Sequence, residues 1–129
     1  MDRLVYLSRL ARPAHPALRR HPQPPHSSSI PMFIVSITYT APLEAIDAAL
    51  PDHVAFLDRH YAAGVFIASG RKVPRTGGVI LAAAASREAL SALLAEDPFS
   101  RKGLATYQVE EFIPSKSSPD IRKFFDAGK

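Results

Sequence analysis

His53, Asp97 and the triplet Ser69-Gly70-Arg71 are the residues whose types and positions could do chemistry. Imidazole gains and loses its proton near neutral pH, so His53 is the first candidate for a general base or a substrate-orienting group. It follows Pro51-Asp52, which reads as a helix start, and the positive end of the helix dipole would favour a neutral ring. Taken by itself it reads equally as a surface or capping histidine. Asp97 precedes Pro98, which biases it toward extended backbone after a helix; alone, Asp-Pro is a common loop opening. Ser69-Gly70 closes a strand and offers a hydroxyl beside backbone that a ligand can approach closely, although such a pair also makes an ordinary turn. Arg71 puts a positive charge on the same rim, where it either favours an anionic ligand or is simply solvated.

Other chemistries find no support. There is no cysteine, so disulfides, thiolate nucleophiles and sulfur-ligated zinc are excluded. No G-x-S-x-G elbow, phosphate-binding glycine loop or H-E-x-x-H helix is present. Gly77-Gly78 reads as a two-glycine hairpin turn. His60 precedes the core-facing Tyr61 and reads as solvated. His15, His21 and His26 lie among prolines at spacings that build no rigid metal site, so no metal is expected.

The elements that must position these residues follow from apolar periodicity. Met32 to Thr40 alternates Phe33, Val35, Ile37 and Tyr39 on one face against Ile34, Ser36 and Thr38 on the other, a strand. Pro42 opens a short helical piece, Leu43 to Ala49. Pro51 opens a longer helix in which Val54, Leu57 and Tyr61 form the buried stripe and which Gly64 ends. Val65 to Ser69 is the second strand, the run through Gly78 the turn, and Val79 to Ala84 a third strand, apolar on both faces and hence interior. Ser86 caps a second helix reaching about Ala95, with Glu88 in its first turn. After a bend at Gly103, Thr106 to Ile113 is the last strand. The order βαββαβ predicts an α+β, ferredoxin-like fold: a four-stranded antiparallel sheet with two helices on one face. The other face carries apolar residues without cover, which predicts a homodimer through the open sheet face.

At 129 residues the chain is one domain's worth. Its net charge of +4 sits in residues 1–31, where five arginines face one acid; residues 32–129 hold equal numbers of basic and acidic side chains. A neutral domain has no footprint for phosphate backbones, so no nucleic-acid partner is expected. No apolar run reaches the roughly 18 to 20 residues that cross a bilayer. Residues 1–31 carry six of the twelve prolines. They are expected to be a disordered extension, sequence upstream of a true start at Met32, or a targeting segment, since the opening is Arg-rich and acid-poor like a transit peptide. Residues 32–115 are the domain and 116–129 a tail whose Ile121, Phe124 and Phe125 could dock on the body. The expected compartment is the cytoplasm.

Several stretches together resemble one family. Met32-Phe-Ile-Val-Ser-Ile-Thr-Tyr39, His53 four residues before Leu57, Ala63-Gly-Val-Phe-Ile-Ala-Ser-Gly70, Glu96-Asp-Pro-Phe99, Gly103-Leu-Ala-Thr-Tyr107 and Glu110-Glu-Phe-Ile113 resemble the YCII-related (YciI-like) family. The resemblance implies a dimeric α/β barrel with a pocket near the sheet–helix interface. It implies His53 and Asp97 as the catalytic pair, with Ser69, Gly70, Phe99 and Arg71 as substrate contacts. Arg71 departs from the proline that many members carry after the glycine. The activity implied is that of a cofactor-independent lyase or isomerase, resembling dehydrochlorinases and muconolactone isomerases, acting on a small cyclic or aromatic molecule. The alternatives are a non-catalytic binding or sensing protein using the same pocket, and a structural dimeric module.

Overall fold

The computed structural model describes residues 30–124. The expectations for residues 1–29 and for Phe125 lie outside that range. Alternating β-branched and aromatic residues make β1 (Met32–Tyr39) a strand whose Phe33, Val35 and Ile37 are buried while Ile34 and Thr38 are exposed. It pairs antiparallel with β3 (Gly77–Ala83) on one side and β4 (Ala105–Phe112) on the other. β2 (Phe66–Arg71) flanks β3, giving the sheet order β2-β3-β1-β4 with a bulge in β2 between Phe66 and Ala68. β3 is therefore interior, as its two-sided apolar pattern predicts.

Helices α1 (Leu43–Ala62) and α2 (Arg87–Leu94) cover one face. Phe56 of α1 and Leu90 and Leu94 of α2 pack with Phe33, Val35, Ile37, Phe66, Ile80 and Ala82 in the main core. Ser86 caps α2 by accepting from the Ala89 N–H at 3.0 Å, as its sequence signal predicts. Gly64 follows α1 with φ +80°, and its N–H reaches the Tyr61 carbonyl at 3.0 Å.

Three expectations are corrected. Leu43 to Ala62 is one helix of 20 residues, not two pieces, and Pro51 lies inside it. Its missing N–H removes one i→i−4 hydrogen bond, the one that would run to the Asp47 carbonyl. The buried stripe is Ile46, Ala49, His53 and Phe56, at helical spacing but rotated from the expected one; Val54 and Tyr61 are exposed. Gly77 and Gly78 belong to β3, and residues 72–76 make the turn instead. Gly77 is needed for close approach: a Cβ there would collide with the Ile37 carbonyl of β1. The turn is fastened to α1 by an Arg75–Asp47 ion pair.

On the uncovered face Ile34, Val79 and Phe112 are 43%, 39% and 42% exposed. One end of that face is partly shielded. Ile121, from the short helix α4 (Pro119–Arg122), and Ile30 pack on the buried pair Met32 and Ala83. Among the described residues no helix is long and apolar enough to cross a membrane.

Candidate functional site

His53 projects from the middle of α1 onto the buried side, at 8% exposure, so the expectation of a first-turn histidine influenced by the helix dipole is withdrawn. What surrounds it is more specific. Residues Pro98–Arg101 form a short helix, α3, that the sequence reading missed; Asp97 is its N-cap and Pro98 its first residue. The fully buried Asp97 carboxylate accepts the Phe99 N–H at 3.1 Å, and its Oδ1 lies 2.8 Å from His53 Nδ1. The Phe99 ring stacks on the imidazole at 4.0 Å between centroids and 8° between planes. A three-residue turn thus grips the imidazole at its edge with a carboxylate and on its face with an aromatic ring.

Tyr107 of β4 supplies the remaining partner, donating its hydroxyl to Asp97 Oδ2 at 2.6 Å. Burial first, and that hydrogen bond second, push the phenol's pKa well above its ordinary value. Sequence reading put Tyr107 on the last strand without a role. Its pairing opposite Ile37 of β1, whose side chain faces the helices, is the signal that aims it at this site. With three donors converging on Asp97, the arrangement fixes the histidine tautomer. In the neutral ring Nδ1–H donates to the carboxylate and the Nε2 lone pair is free. The Nε2 of His53 makes no hydrogen bond with a described residue.

His53 and Phe99 border a cavity of about 190 Å³ between α1 and the β2–β3 edge of the sheet. Leu50, Val54 and Leu57 line it from the helix, which is why apolar residues stand off the core stripe. Ile37 and Tyr39 line it from β1, and Ser69, Gly70 and Arg71 from β2. The six residues singled out from the sequence are thus brought together: five line the cavity, and Asp97 lies directly behind His53. Ser69 Oγ lies 2.6 Å from the Tyr61 hydroxyl. Tyr61, expected as core, is instead exposed, with its hydroxyl against Ser69.

His60 is also corrected, since it is not solvated. Its ring contacts those of Phe56 and Phe66 at 4.8 and 5.4 Å, and its buried Nε2 lacks a hydrogen-bond partner. Burial, only partly offset by Glu96, lowers its pKa. Among the described residues no group of three His, Asp or Glu side chains comes together to hold a metal.

Comparison with known proteins agrees with this architecture. A search of curated proteins returned no match. Among solved structures, the chain is similar to 5-chloro-2-hydroxyhydroquinone dehydrochlorinase (TftG) from Burkholderia phenoliruptrix AC1100, in complex with 2,5-dihydroxybenzoquinone. The identity is 20%, over 63% of this chain and 92% of that one, with a TM-score of 0.56. A mutant of SnoaB, a cofactor-independent oxygenase from Streptomyces nogalater, matches at 16% identity over 69% and 96% of the two chains, with a TM-score of 0.41. The YCII-related domain model matches residues 32–113, most of the chain and nearly all of the described fold, and the protein therefore belongs to the YCII-related domain family.

Proposed function

We propose that this protein is a cofactor-independent lyase or isomerase acting on a small cyclic or aromatic compound, with His53 as general base. The observation that carries the reading is the 2.8 Å contact between His53 Nδ1 and the buried Asp97 carboxylate, beside a cavity onto which the unpartnered Nε2 can open. In the reaction, Nε2 takes a proton from a substrate C–H and the electron pair moves into an adjacent carbonyl. The resulting imidazolium is stabilised by Asp97, which stays a carboxylate. Collapse of the enolate either expels a leaving group, such as chloride, or recovers the proton from His53 at another carbon. The first outcome is a lyase reaction and the second an isomerisation. Ser69 hydrogen-bonds the substrate, Gly70 lets it approach the strand, and Phe99 walls the ring side.

Size supports a single ring, because cavities of roughly 150 Å³ hold benzene and this one measures about 190 Å³. A protein of similar fold, the dehydrochlorinase, binds a one-ring quinone. The reading includes a homodimer through the open sheet face, supported by exposed Ile34, Val79 and Phe112. Sedimentation equilibrium at micromolar concentration tests it, and a monomer there refutes it.

The catalytic test is a turnover screen of chlorinated hydroquinones, unsaturated lactones and enolisable cyclic ketones with wild type and His53→Gln. For any compound turned over, His53→Gln is expected to lower kcat by about 10²- to 10⁴-fold with little change in KM. Undiminished kcat overturns the assignment, and saturable binding without turnover supports a binding or sensing role instead.

A further inference from the structure

The wall of the cavity opposite His53 has a chemistry of its own. Ser69 and Arg71 are two residues apart on β2, and their cross-strand partners on β3 are Ile80 and Gly78. Ile80 is buried in the core against Phe56 of α1, so the face shared by Ser69 and Arg71 is the one turned toward the helix and the cavity. Lys72, the next residue, reaches instead for Thr38 Oγ1 on the other side of the sheet. Opposite Arg71 stands Gly78, which has no side chain to cover it.

Charge sharpens the picture. Arg71 is the one charged side chain besides the titratable His53 that lines the cavity, and no Asp or Glu lines it. Arg75 is matched to Asp47 and Arg87 to Glu111, but Arg71 makes no ion pair or side-chain hydrogen bond with a described residue. The Tyr61 hydroxyl lies 2.6 Å from Ser69 Oγ; when it donates there, the serine proton is left free to point at a ligand.

We infer that the β2 wall is an oxyanion subsite, in which the Arg71 guanidinium and the Ser69 hydroxyl hold a planar carboxylate, phenolate or enolate oxygen of a one-ring ligand. The inference deepens the proposed function and rests on it for the ligand's being a substrate. It narrows the substrates to rings that carry an acidic oxygen, or that develop one when His53 removes a proton. Preorganised donors facing a base across a narrow, mostly apolar cavity suit that charge movement, because the charge leaving the C–H bond arrives where the donors already stand.

The test uses benzoate and its neutral isostere benzamide as probes, titrated calorimetrically at pH 8 into wild type, Arg71→Gln, Ser69→Ala and His53→Gln. Wild type is expected to prefer benzoate by about tenfold, the scale of one charge-assisted hydrogen bond. Arg71→Gln should bring the ratio near one by weakening benzoate far more than benzamide, Ser69→Ala should reduce the ratio, and His53→Gln should keep it. The inference is overturned if wild type shows no preference or does not bind benzoate at millimolar concentration. It is equally overturned if the preference survives Arg71→Gln, or disappears in His53→Gln. Catalysis is read separately: turnover insensitive to His53→Gln with an intact benzoate preference removes the reaction but keeps the subsite, and the converse pattern removes the subsite alone.

Discussion

Replacing Tyr107 by Phe removes one oxygen and tests how tightly the imidazole grip is tied to the core. The hydroxyl donates to Asp97 Oδ2 at 2.6 Å, and Asp97 is fully buried, so no water replaces the lost donor without rearrangement. A hydrogen bond to a charged group contributes about 1.5–3 kcal/mol, and an acceptor left without its partner in a buried place forfeits that amount. For a domain of this size each kcal/mol moves Tm by about 4–8 °C, so Tyr107→Phe should lower Tm by roughly 6–24 °C. The ring itself is retained, and with it the apolar contacts, so the loss reports on the hydroxyl. Catalysis should suffer less than in His53→Gln, because the Phe99 stack and the Nδ1–Oδ1 contact still orient the imidazole. Differential scanning calorimetry with urea denaturation measures the stability term. A Tm change under about 2 °C would refute the reasoning, since the carboxylate would then not depend on the phenol. The raised phenol pKa adds a second readout. Its sign is that of an acid protonated more readily when folded, so the stabilisation is whole below the free tyrosine value of about 10 and fades at higher pH. Phenolate absorbance developed between pH 9 and 11 should accordingly be the same in wild type and Tyr107→Phe.

Three further outcomes are expected. Burial holds the His60 pKa below 6.5, so the unfolded chain takes up the proton first, and stability should be whole above about pH 6.5 and fall below it. His60→Leu should flatten the decline of Tm between pH 7 and 5, and an unchanged slope would place the acid sensitivity elsewhere. Gly77→Ala should cost at least about 1–3 kcal/mol in urea unfolding, because its Cβ meets backbone, the Ile37 carbonyl, and β1 and β3 must part to admit it; a loss under about 0.5 kcal/mol would contradict that contact. Ser86→Ala should cost about 1 kcal/mol through the lost cap on Ala89, measured in the same titration, whereas Ser86→Gly should cost only a few tenths.

The strands were legible because their signal is local: period-two alternation in Met32–Tyr39 and the two-sided apolar run of β3 need nothing distant to be read. The phase of α1 was not, and the reason lies in the site. Val54, Leu57 and Tyr61 look like a core stripe, but the first two line a cavity and the third is exposed, while His53 takes a core position because Asp97 and Phe99 satisfy its edge and face. Local pattern and global fold part company at that point, where the proposed site lies. Asp97 shows the same limit. Asp-Pro reads as a loop opening, and its side-chain partners, the Tyr107 hydroxyl and the His53 ring, come from tertiary packing. The resemblance to YCII-related proteins, which gathers weak signals along the chain, reached the pairing that no single window could.

The stretch that clasps the imidazole, Asp97 to Phe99, and the strand bearing Ser69 and Arg71 are separate pieces of backbone, and α1 hands over to the second through the single left-handed residue Gly64. The two sets of side chains thus ride on different elements: β2 forms one wall of the cavity, while the His53–Asp97–Phe99 cluster is held by α1 and α3. Under the proposed function, substitutions at a few positions along one sheet edge would change which ring is accepted and leave the contacts around the imidazole as they are.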